Sequence, residues 1–269
     1  MEVKEQFEEL GTSRKSEVIL FSTYNAIKQI QVPICHEMYD CFVNTLILLS
    51  EKYKNKKIPK LSMILNTTGG TLPAARSIVK LIREFSDKFE IIVPKFAMSA
   101  GTLMCLSADR LIMFNDANLG PLDPSISDFN YPANPSLSAA YLKAKFIDRN
   151  ENTDKNLTIE DLKRLSYQYD PILIGQAFRA FKQMENFISE ALGDKLSLAN
   201  KKDAIYFLLY KLNNHGYKIS KEEAQSKLHI SVESISYKEE QIIKDILDFS
   251  QSKQDPYQFK FLFSKNDYE

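Results

Sequence analysis

The protein has 269 residues, and 35 Lys and Arg residues balance 35 Asp and Glu residues, so its formal net charge is zero. This balance argues against a nucleic-acid-binding protein that relies on a basic excess. The length allows one large domain whose core needs neither disulfides nor a structural metal, and we expect no metal or other cofactor.

The amino-terminal sequence MEVKEQFEELGTSRKSE is charged and lacks the apolar segment of a signal peptide. The longest apolar run, CFVNTLILL at 41–49, is much too short to span a bilayer. We therefore expect a cytoplasmic protein without a membrane span.

Segments with strand and helix patterns alternate through the first half of the chain. Short apolar runs predict strands at 18–21, 61–66, 90–94 and 110–114. Helical patterns predict helices at 35–54, 73–85 and 99–108. In the second of these, the i, i+3, i+4, i+7 spacing of one helix face is followed by Ala75, Ile78, Val79 and Ile82. The alternation indicates an α/β fold with a mainly parallel, helix-covered sheet.

The pattern changes after residue 124. Two prolines and several Ser and Asn residues lie between 125 and 136, which indicates an ordered loop or lid. From about 137 helical patterns dominate, and Pro171 lies in the first turn of a long predicted helix at 171–192. Ser220 and Glu223 have the spacing of a capping box at the start of a further helix.

Glycines concentrate between residues 69 and 120. The chain has only eight, and four of them lie there: Gly69, Gly70, Gly101 and Gly120. Glycine is needed where the backbone has a positive φ or approaches another segment closely, so this region is the candidate site. Gly69 and Gly70 join a strand to a helix, where backbone N–H groups can bind a phosphate or an oxyanion. No Lys-Ser/Thr of a P-loop follows, and the pair alone favours a structural turn.

Ser99 occupies a second strand-to-helix transition, within KFAMSAGTLMCLSADRLIMF at 95–114. Serine is a common helix N-cap, and its small neighbours would allow close packing around a buried helix. The same neighbours would let a substrate reach the hydroxyl, as in the tight strand–turn–helix of a nucleophile elbow. The motif alone leaves both interpretations, cap and nucleophile, open.

A serine nucleophile needs a base, and the chain has three histidines: His36, His215 and His229. His215 differs from the other two because it lies in a polar loop, NNHGYKIS, between two helical patterns. Lysine is the other residue type that can act as the base once it is desolvated. Lys143 follows the loop at 125–136, although solvated surface lysines are much more common than catalytic ones.

The stretches LNTTGG, IIVPKFAMSAGTLMCLSADRLIMFNDANLGPLDPSI and HGYKISKEEA occur in this order along the chain. Together they resemble the serine dehydrogenase proteinase (SDH) family, a distant branch of the Clp protease/crotonase superfamily that is similar to the signal peptide peptidase A group. The resemblance implies a Clp protease/crotonase-like spiral of ββα units over roughly 15–235, with a helical C-terminal extension.

The resemblance also implies roles for individual residues. Ser99 would attack the peptide carbonyl, and the N–H groups of Gly70 and Ala100 would form the oxyanion hole. Asp123 and His215 would complete a triad in the chain order Ser, Asp, His, which differs from the Ser, His, Asp order of Clp proteases. Triads are defined by geometry and not by order, so this arrangement can still supply a base and its orienting acid.

Lys143 is the fallback base, by analogy with the Ser–Lys dyads of the signal peptide peptidase relatives. For the domains, we expect an amino-terminal arm at 1–14 and a peptidase domain at 15–235, in which 125–156 is a loop or lid insertion. The C-terminal helix and tail at 236–269 fall outside the motifs.

The leading hypothesis is a serine peptidase, a homo-oligomer that hydrolyses a peptide or protein substrate with no nucleotide or metal of its own. The alternative is a catalytically silent scaffold or peptide-binding module on the same fold. Acyl-CoA chemistry is a third option, but it needs an adenine pocket and an acidic residue near the Gly69–Gly70 turn, and the sequence has neither signature.

Overall fold

The computed structural model describes residues 3–54, 56–124, 159–160, 163, 167, 171–212, 214–252 and 262–265. The chain forms two compact units. The first unit comprises Met1–Gly120 and Lys218–Glu269, and the second comprises Pro121–Tyr217.

The strands of the described residues all belong to the first unit. They are β1 (Glu17–Ser22), β2 (Tyr24–Asn25), β3 (Ile30–Gln31), β4 (Leu61–Asn66), β5 (Phe89–Val93), β6 (Phe96–Ala97), β7 (Arg110–Met113), β8 (Asn118–Leu119), β9 (Val232–Glu233) and β10 (Leu262–Ser264).

The helices divide between the two units. They are α1 (Val3–Arg14), α2 (Tyr39–Glu51), α3 (Leu72–Phe85), α4 (Ala100–Ser107), α5 (Pro171–Leu192), α6 (Leu198–Tyr206), α7 (Lys221–Leu228) and α8 (Tyr237–Ser252). Of these helices, α5 and α6 belong to the second unit. The four strands and three helices expected in the first half are present, and the helix expected from residue 35 begins with a 3₁₀ turn, His36–Met38, before α2.

A six-stranded sheet organises the first unit, in the order β10-β1-β4-β5-β7-β9. All neighbours in it run parallel except the terminal pair, in which β10 is antiparallel to β1. The expected α/β fold with a mainly parallel sheet is therefore confirmed. Every residue of β1, β4 and β5 is buried, which explains why these strands read as continuous apolar runs and not as alternating patterns.

Helices cover this sheet through their apolar faces. Ala75, Ile78, Val79 and Ile82 of α3 are all buried, as their helical spacing predicts. At the carboxyl-terminal helix, Ile242, Ile243, Ile246 and Leu247 of α8 are also buried. Because the Gln6 amide of α1 donates to Asp245 at 2.9 Å, α8 is fastened to the amino-terminal helix of its own chain.

The described part of the second unit is mainly helical. The long helix expected from Pro171 is present as α5, and its buried residues have helical spacing: Phe181, Met184, Ile188 and Leu192. Tyr210, in the π-helical turn Phe207–Lys211, stacks on Phe181 with 5.4 Å between ring centroids. The loop or lid expected at 125–156 lies outside the described residues. No helix in the described part of the chain is both long and apolar enough to cross a bilayer.

Candidate active site

The Gly69–Gly70 turn connects the carboxyl end of β4 to α3 in the first unit. Gly69 has a φ of +106°, a conformation that side chains with a Cβ rarely adopt. A Cβ on Gly70 would lie 2.1 Å from the main-chain nitrogen of Ile34. Glycine is therefore required at both positions, at Gly69 by conformation and at Gly70 by the close approach of another backbone.

Ile34 fixes this turn through two main-chain hydrogen bonds. Its N–H donates to the Gly69 carbonyl at 2.9 Å, and its carbonyl accepts from the Thr71 N–H at 2.8 Å. Within the described residues, the Gly70 N–H that lies between these two bonds donates to no acceptor. The sequence gives no local signal for Ile34, because the residue acts through its backbone and lies far from the turn along the chain.

Ser99 has a strained backbone, with φ +49° and ψ −116°. It precedes α4 at the N-cap position, yet its side chain makes no capping hydrogen bond. The conformation costs a non-glycine residue about 1–3 kcal/mol, a cost that proteins accept mainly at functional sites. The missing capping hydrogen bond argues against the interpretation of Ser99 as a helix cap. The Ser99 side chain is half-buried on a sharp strand-to-helix turn.

The two turns touch each other. A Cβ on Gly69 would lie 2.8 Å from the Ser99 Cβ and 3.4 Å from the Ala100 nitrogen. Ala100 is the first residue of α4, where N–H groups have no partner within the helix. In the part of the chain that the structure describes, neither its N–H nor that of Gly70 has an acceptor. The Ala100 N–H therefore directly follows the serine at the positive end of the α4 dipole, and the Gly70 N–H belongs to the turn that packs against it.

Two threonines hold these segments together. The Thr67 hydroxyl accepts from the Gly69 N–H at 3.1 Å and shares a 2.7 Å hydrogen bond with the Thr23 hydroxyl. The Thr102 hydroxyl lies 2.8 Å from the Ala97 carbonyl and accepts from the Gly120 N–H at 2.9 Å. These contacts fix the turn before α3 and the segment after β8 against the serine turn, and sequence reasoning did not single out either threonine.

Asp123 and His215 form a pair within the second unit. Their Oδ1 and Nδ1 atoms are 2.8 Å apart, and the side chains are 1% and 48% exposed, respectively. An ionised carboxylate can only accept, so Nδ1 carries the proton and Nε2 is left as the basic nitrogen. This hydrogen bond raises the pKa of His215 above its ordinary value, and burial of the ring opposes the rise. An oriented, partly exposed imidazole of this kind can take a proton from a nucleophile.

The sequence offered three other candidate bases or ligands. His36 belongs to the 3₁₀ turn before α2, and His229 ends α7 in a left-handed conformation with a φ of +55°. Lys143 lies outside the described residues. In the described ranges, no three His, Cys, Asp or Glu side chains are grouped so that they could hold a metal ion.

Comparison with known proteins gives one family. A family model described as "ClpP-like SDH-type serine proteinase" matches residues 1–260. Two uncharacterised proteins of Methanocaldococcus jannaschii are similar. MJ0137 is 33% identical over 165 residues, which cover 61% of this chain and 51% of MJ0137. MJ1495 is 34% identical over 135 residues, which cover 50% of this chain and 39% of MJ1495. The chain thus spans about half or less of the length of these relatives.

Solved structures with a similar arrangement are more distant in sequence. A ClpP1 variant from Listeria monocytogenes is 13% identical with a TM-score of 0.48, over 86% of this chain and 99% of its own. A variant of the 1510-N membrane-bound stomatin-specific protease, in complex with a substrate peptide, is 18% identical with a TM-score of 0.47. The match covers 77% of this chain and 73% of the protease chain.

Proposed function

This chain belongs to the family of ClpP-like SDH-type serine proteinases, and we propose that it hydrolyses peptide bonds in a peptide or protein substrate, with Ser99 as the nucleophile. The observation that carries this proposal is the strained backbone of Ser99, which holds an uncapped hydroxyl on a turn packed against the Gly69–Gly70 turn. Strain at a residue that contributes no cap to its helix is what a nucleophile elbow requires.

The N–H groups of Gly70 and Ala100 are proposed as the oxyanion hole. When the Ser99 oxygen attacks a carbonyl carbon, negative charge develops on the carbonyl oxygen, and two donors already fixed in place can stabilise it without rearrangement. Ile34 fixes the Gly70 peptide and α4 fixes the Ala100 peptide, so each donor is preorganised by separate backbone contacts. Stabilisation of this kind acts on the transition state more than on the bound substrate.

His215 is proposed as the general base and Asp123 as its orienting acid. The His215 Nε2 atom would accept the Ser99 proton and then deliver it to the leaving amine, which leaves an acyl-enzyme. A water molecule, deprotonated by the same nitrogen, would release the acyl group and regenerate the serine. The 2.8 Å contact to Asp123 supports these roles, because it fixes the tautomer and stabilises the imidazolium that forms in each step.

Lys143 remains the alternative base in this proposal. Peptide cleavage by alanine variants distinguishes His215 from Lys143 as the base. Loss of the base removes activity, while substitution of an uninvolved residue does not. We expect His215→Ala to abolish peptide cleavage and Lys143→Ala to preserve it. The opposite pattern would assign the base to Lys143.

We also propose that the protein is a cytoplasmic homo-oligomer. Two adjacent apolar residues of α2, Ile47 and Leu48, are 43% and 51% exposed. Exposed apolar surface of this kind can be buried between the subunits of a symmetric homo-oligomer. Light scattering coupled to size-exclusion chromatography measures the oligomer size, and Leu48→Glu should reduce it.

Fluorophosphonate labelling tests the nucleophile directly. The wild-type protein should react at Ser99, located by mass spectrometry, and should cleave an unstructured protein such as casein. Ser99→Ala should lose both labelling and cleavage. Ser107→Ala, in the same helix, is the matched control and should retain both. Unchanged labelling of Ser99→Ala would contradict the proposal, and absence of cleavage by the wild type would favour the silent peptide-binding module.

A further inference from the structure

The first unit contains an open cavity of about 450 Å³ at the amino-terminal ends of the parallel strands β1 and β4. The end of α1, the start of β1, the turn after α2, the residues before β4 and the residue after β10 line it. A cavity of this size holds a small molecule of roughly nucleotide size.

This cavity is separate from the candidate active site. Glu17 at the start of β1 pairs with Leu61 at the start of β4, so both parallel strands begin at the cavity. The other end of β4, at Asn66, leads into the Gly69–Gly70 turn. The cavity therefore lies at the amino-terminal ends of the parallel strands, and Ser99 lies near their carboxyl-terminal ends. A ligand in the cavity would not contact the proposed catalytic serine.

The lining carries more positive than negative charge. It contains four lysines, Lys15, Lys52, Lys60 and Lys265, against two carboxylates, Glu8 and Glu17. Two of the lysines share one carboxylate, because the Lys52 and Lys265 Nζ atoms lie 2.7 Å and 3.7 Å from the two oxygens of Glu17. Their combined charge exceeds that of Glu17 and is available to a further anion.

Lys60 is held in place by groups behind the cavity wall. Its Nζ atom donates to the Arg14 carbonyl at 3.0 Å and lies 2.8 Å from Glu90 Oε2. Glu90 is also paired with Arg14 and with Arg110, which pair in turn with Glu239 and Glu233, so the positive and negative charges of this cluster balance.

Lys15 stands at the end of α1 in a backbone conformation fixed by two hydrogen bonds. Its φ is +52°, its N–H donates to the Thr12 carbonyl at 3.3 Å, and the following Ser16 N–H donates to the Gly11 carbonyl at 3.0 Å. Within the described residues the exposed Lys15 ammonium forms no ion pair. A lysine that the fold does not use, on a rigid turn beside a positive cavity, is suited to binding a ligand.

We propose that this cavity binds a small phosphate-bearing molecule of about nucleotide size. Lysine ammonium groups bind phosphate as point charges, and the several oxygens of a phosphate group can contact more than one of them at once. Such a ligand would balance the excess positive charge of the lining, and its affinity would fall as added salt screens the lysines.

Isothermal titration calorimetry of the full chain with ADP and with inorganic pyrophosphate tests this proposal. We expect saturable binding of one molecule per chain, unchanged in Ser99→Ala. Lys15→Glu should weaken it about tenfold by reversing one charge at the cavity. Thr12→Trp should also weaken it, by filling the cavity from the exposed end of α1. Lys88→Glu, an exposed lysine outside the lining, is the matched control and should bind as the wild type does.

Three results would overturn the proposal. The first is no measurable heat with either phosphate compound at low salt. The second is equal weakening by Lys88→Glu and Lys15→Glu, which would mean that binding follows net charge and not the cavity. The third is tighter binding of citrate, tested as a polycarboxylate of similar charge, than of both phosphate compounds. Because the readout is binding, it is independent of whether the protein cleaves peptides.

Discussion

Asp123 holds His215 by a single hydrogen bond, 2.8 Å from Oδ1 to Nδ1, while the second carboxylate oxygen, Oδ2, is buried and has no partner in the described part of the chain. Among the described side chains, the Asp123 carboxylate therefore forms a hydrogen bond only with the His215 imidazole. This contact raises the pKa of His215, with burial of the ring acting in the opposite direction. The neutral, basic form of His215 is therefore populated only above a pKa that lies higher than the ordinary value for histidine.

Asp123→Asn should change both the rate and the pH profile of peptide cleavage. In the wild type, kcat/KM should rise with pH through the raised pKa of His215, since only the neutral ring can accept a proton. The asparagine removes the charge that raises this pKa, so the acid limb should move to lower pH. We expect kcat at the optimum to fall about 10⁴-fold, because the ring loses its fixed tautomer.

Asp116→Asn is the matched control for that experiment. It makes the same substitution at an exposed aspartate seven residues earlier in the chain, and both rate and acid limb should remain those of the wild type. An acid limb that stays in place in Asp123→Asn would contradict His215 as the base.

Ser99→Gly should be more stable than Ser99→Ala, although neither variant has a nucleophile. Glycine adopts the backbone angles of Ser99 without strain, whereas alanine retains the clash of its Cβ. The relief of strain exceeds the entropic cost of glycine in the unfolded chain, and we expect a difference of about 1 kcal/mol in the free energy of unfolding by urea.

The order should reverse at Ser226, an exposed serine within α7. There Ser226→Gly should be less stable than Ser226→Ala by about 1 kcal/mol, since the backbone is helical. If glycine were the less stable variant at position 99 as well, Ser99 would carry no stored strain.

Gly70→Ala should damage the site through the backbone of Ile34. The added methyl group would meet the Ile34 nitrogen and carbonyl oxygen at 2.1 Å and 2.4 Å, and main-chain atoms cannot rotate away. We expect a loss of about 3 kcal/mol in unfolding free energy and a fall in kcat greater than the fall in substrate affinity. Gly175→Ala, where a Cβ meets nothing within 4 Å, should instead be neutral or stabilising.

Local sequence patterns predict the central part of this fold well. The runs that became β1, β4, β5 and β7 are continuous and apolar because parallel strands are buried on both faces. Glycines at 69 and 70 mark a turn that other backbone segments approach too closely for a Cβ to fit. These features depend on residues that are close together along the chain, so their signals are local.

The features that the sequence did not reveal depend on contacts between distant segments. Ile34 reaches Gly70 through main-chain atoms, and β10 joins β1 across almost the whole chain, so neither leaves a local pattern. The backbone angles of Ser99 are equally invisible, because the same small residues suit a capped helix. The roles of Asp123 and His215 stay predictions, since the measured contact joins them only to each other.

A buried carboxylate at the amino end of β5 gives the last prediction. Glu90 is 1% exposed and is surrounded by cations: it pairs with Arg14, and its Oε2 lies 2.8 Å from Lys60 and 3.4 Å from Arg110. Burial favours the protonated form of Glu90, but hydrogen bonds from Arg14, Lys60 and the Ser62 hydroxyl outweigh it and hold the pKa below its ordinary value. The ionised form therefore stabilises the fold at neutral pH.

Glu90→Gln should lower the free energy of unfolding by about 3 kcal/mol at pH 7, because it leaves buried cations without their counter-charge. A depressed pKa in the folded state gives stability that is present above the pKa of the unfolded chain and is lost as pH falls through the folded one. The deficit of the variant should consequently shrink in strongly acidic buffer, where wild-type Glu90 is also neutral. Urea unfolding at several pH values measures this deficit. Lys244→Ala, which breaks an exposed pair with Glu240, is the control and should unfold as the wild type does. A deficit that did not change with pH would mean that glutamine disturbs packing and not charge.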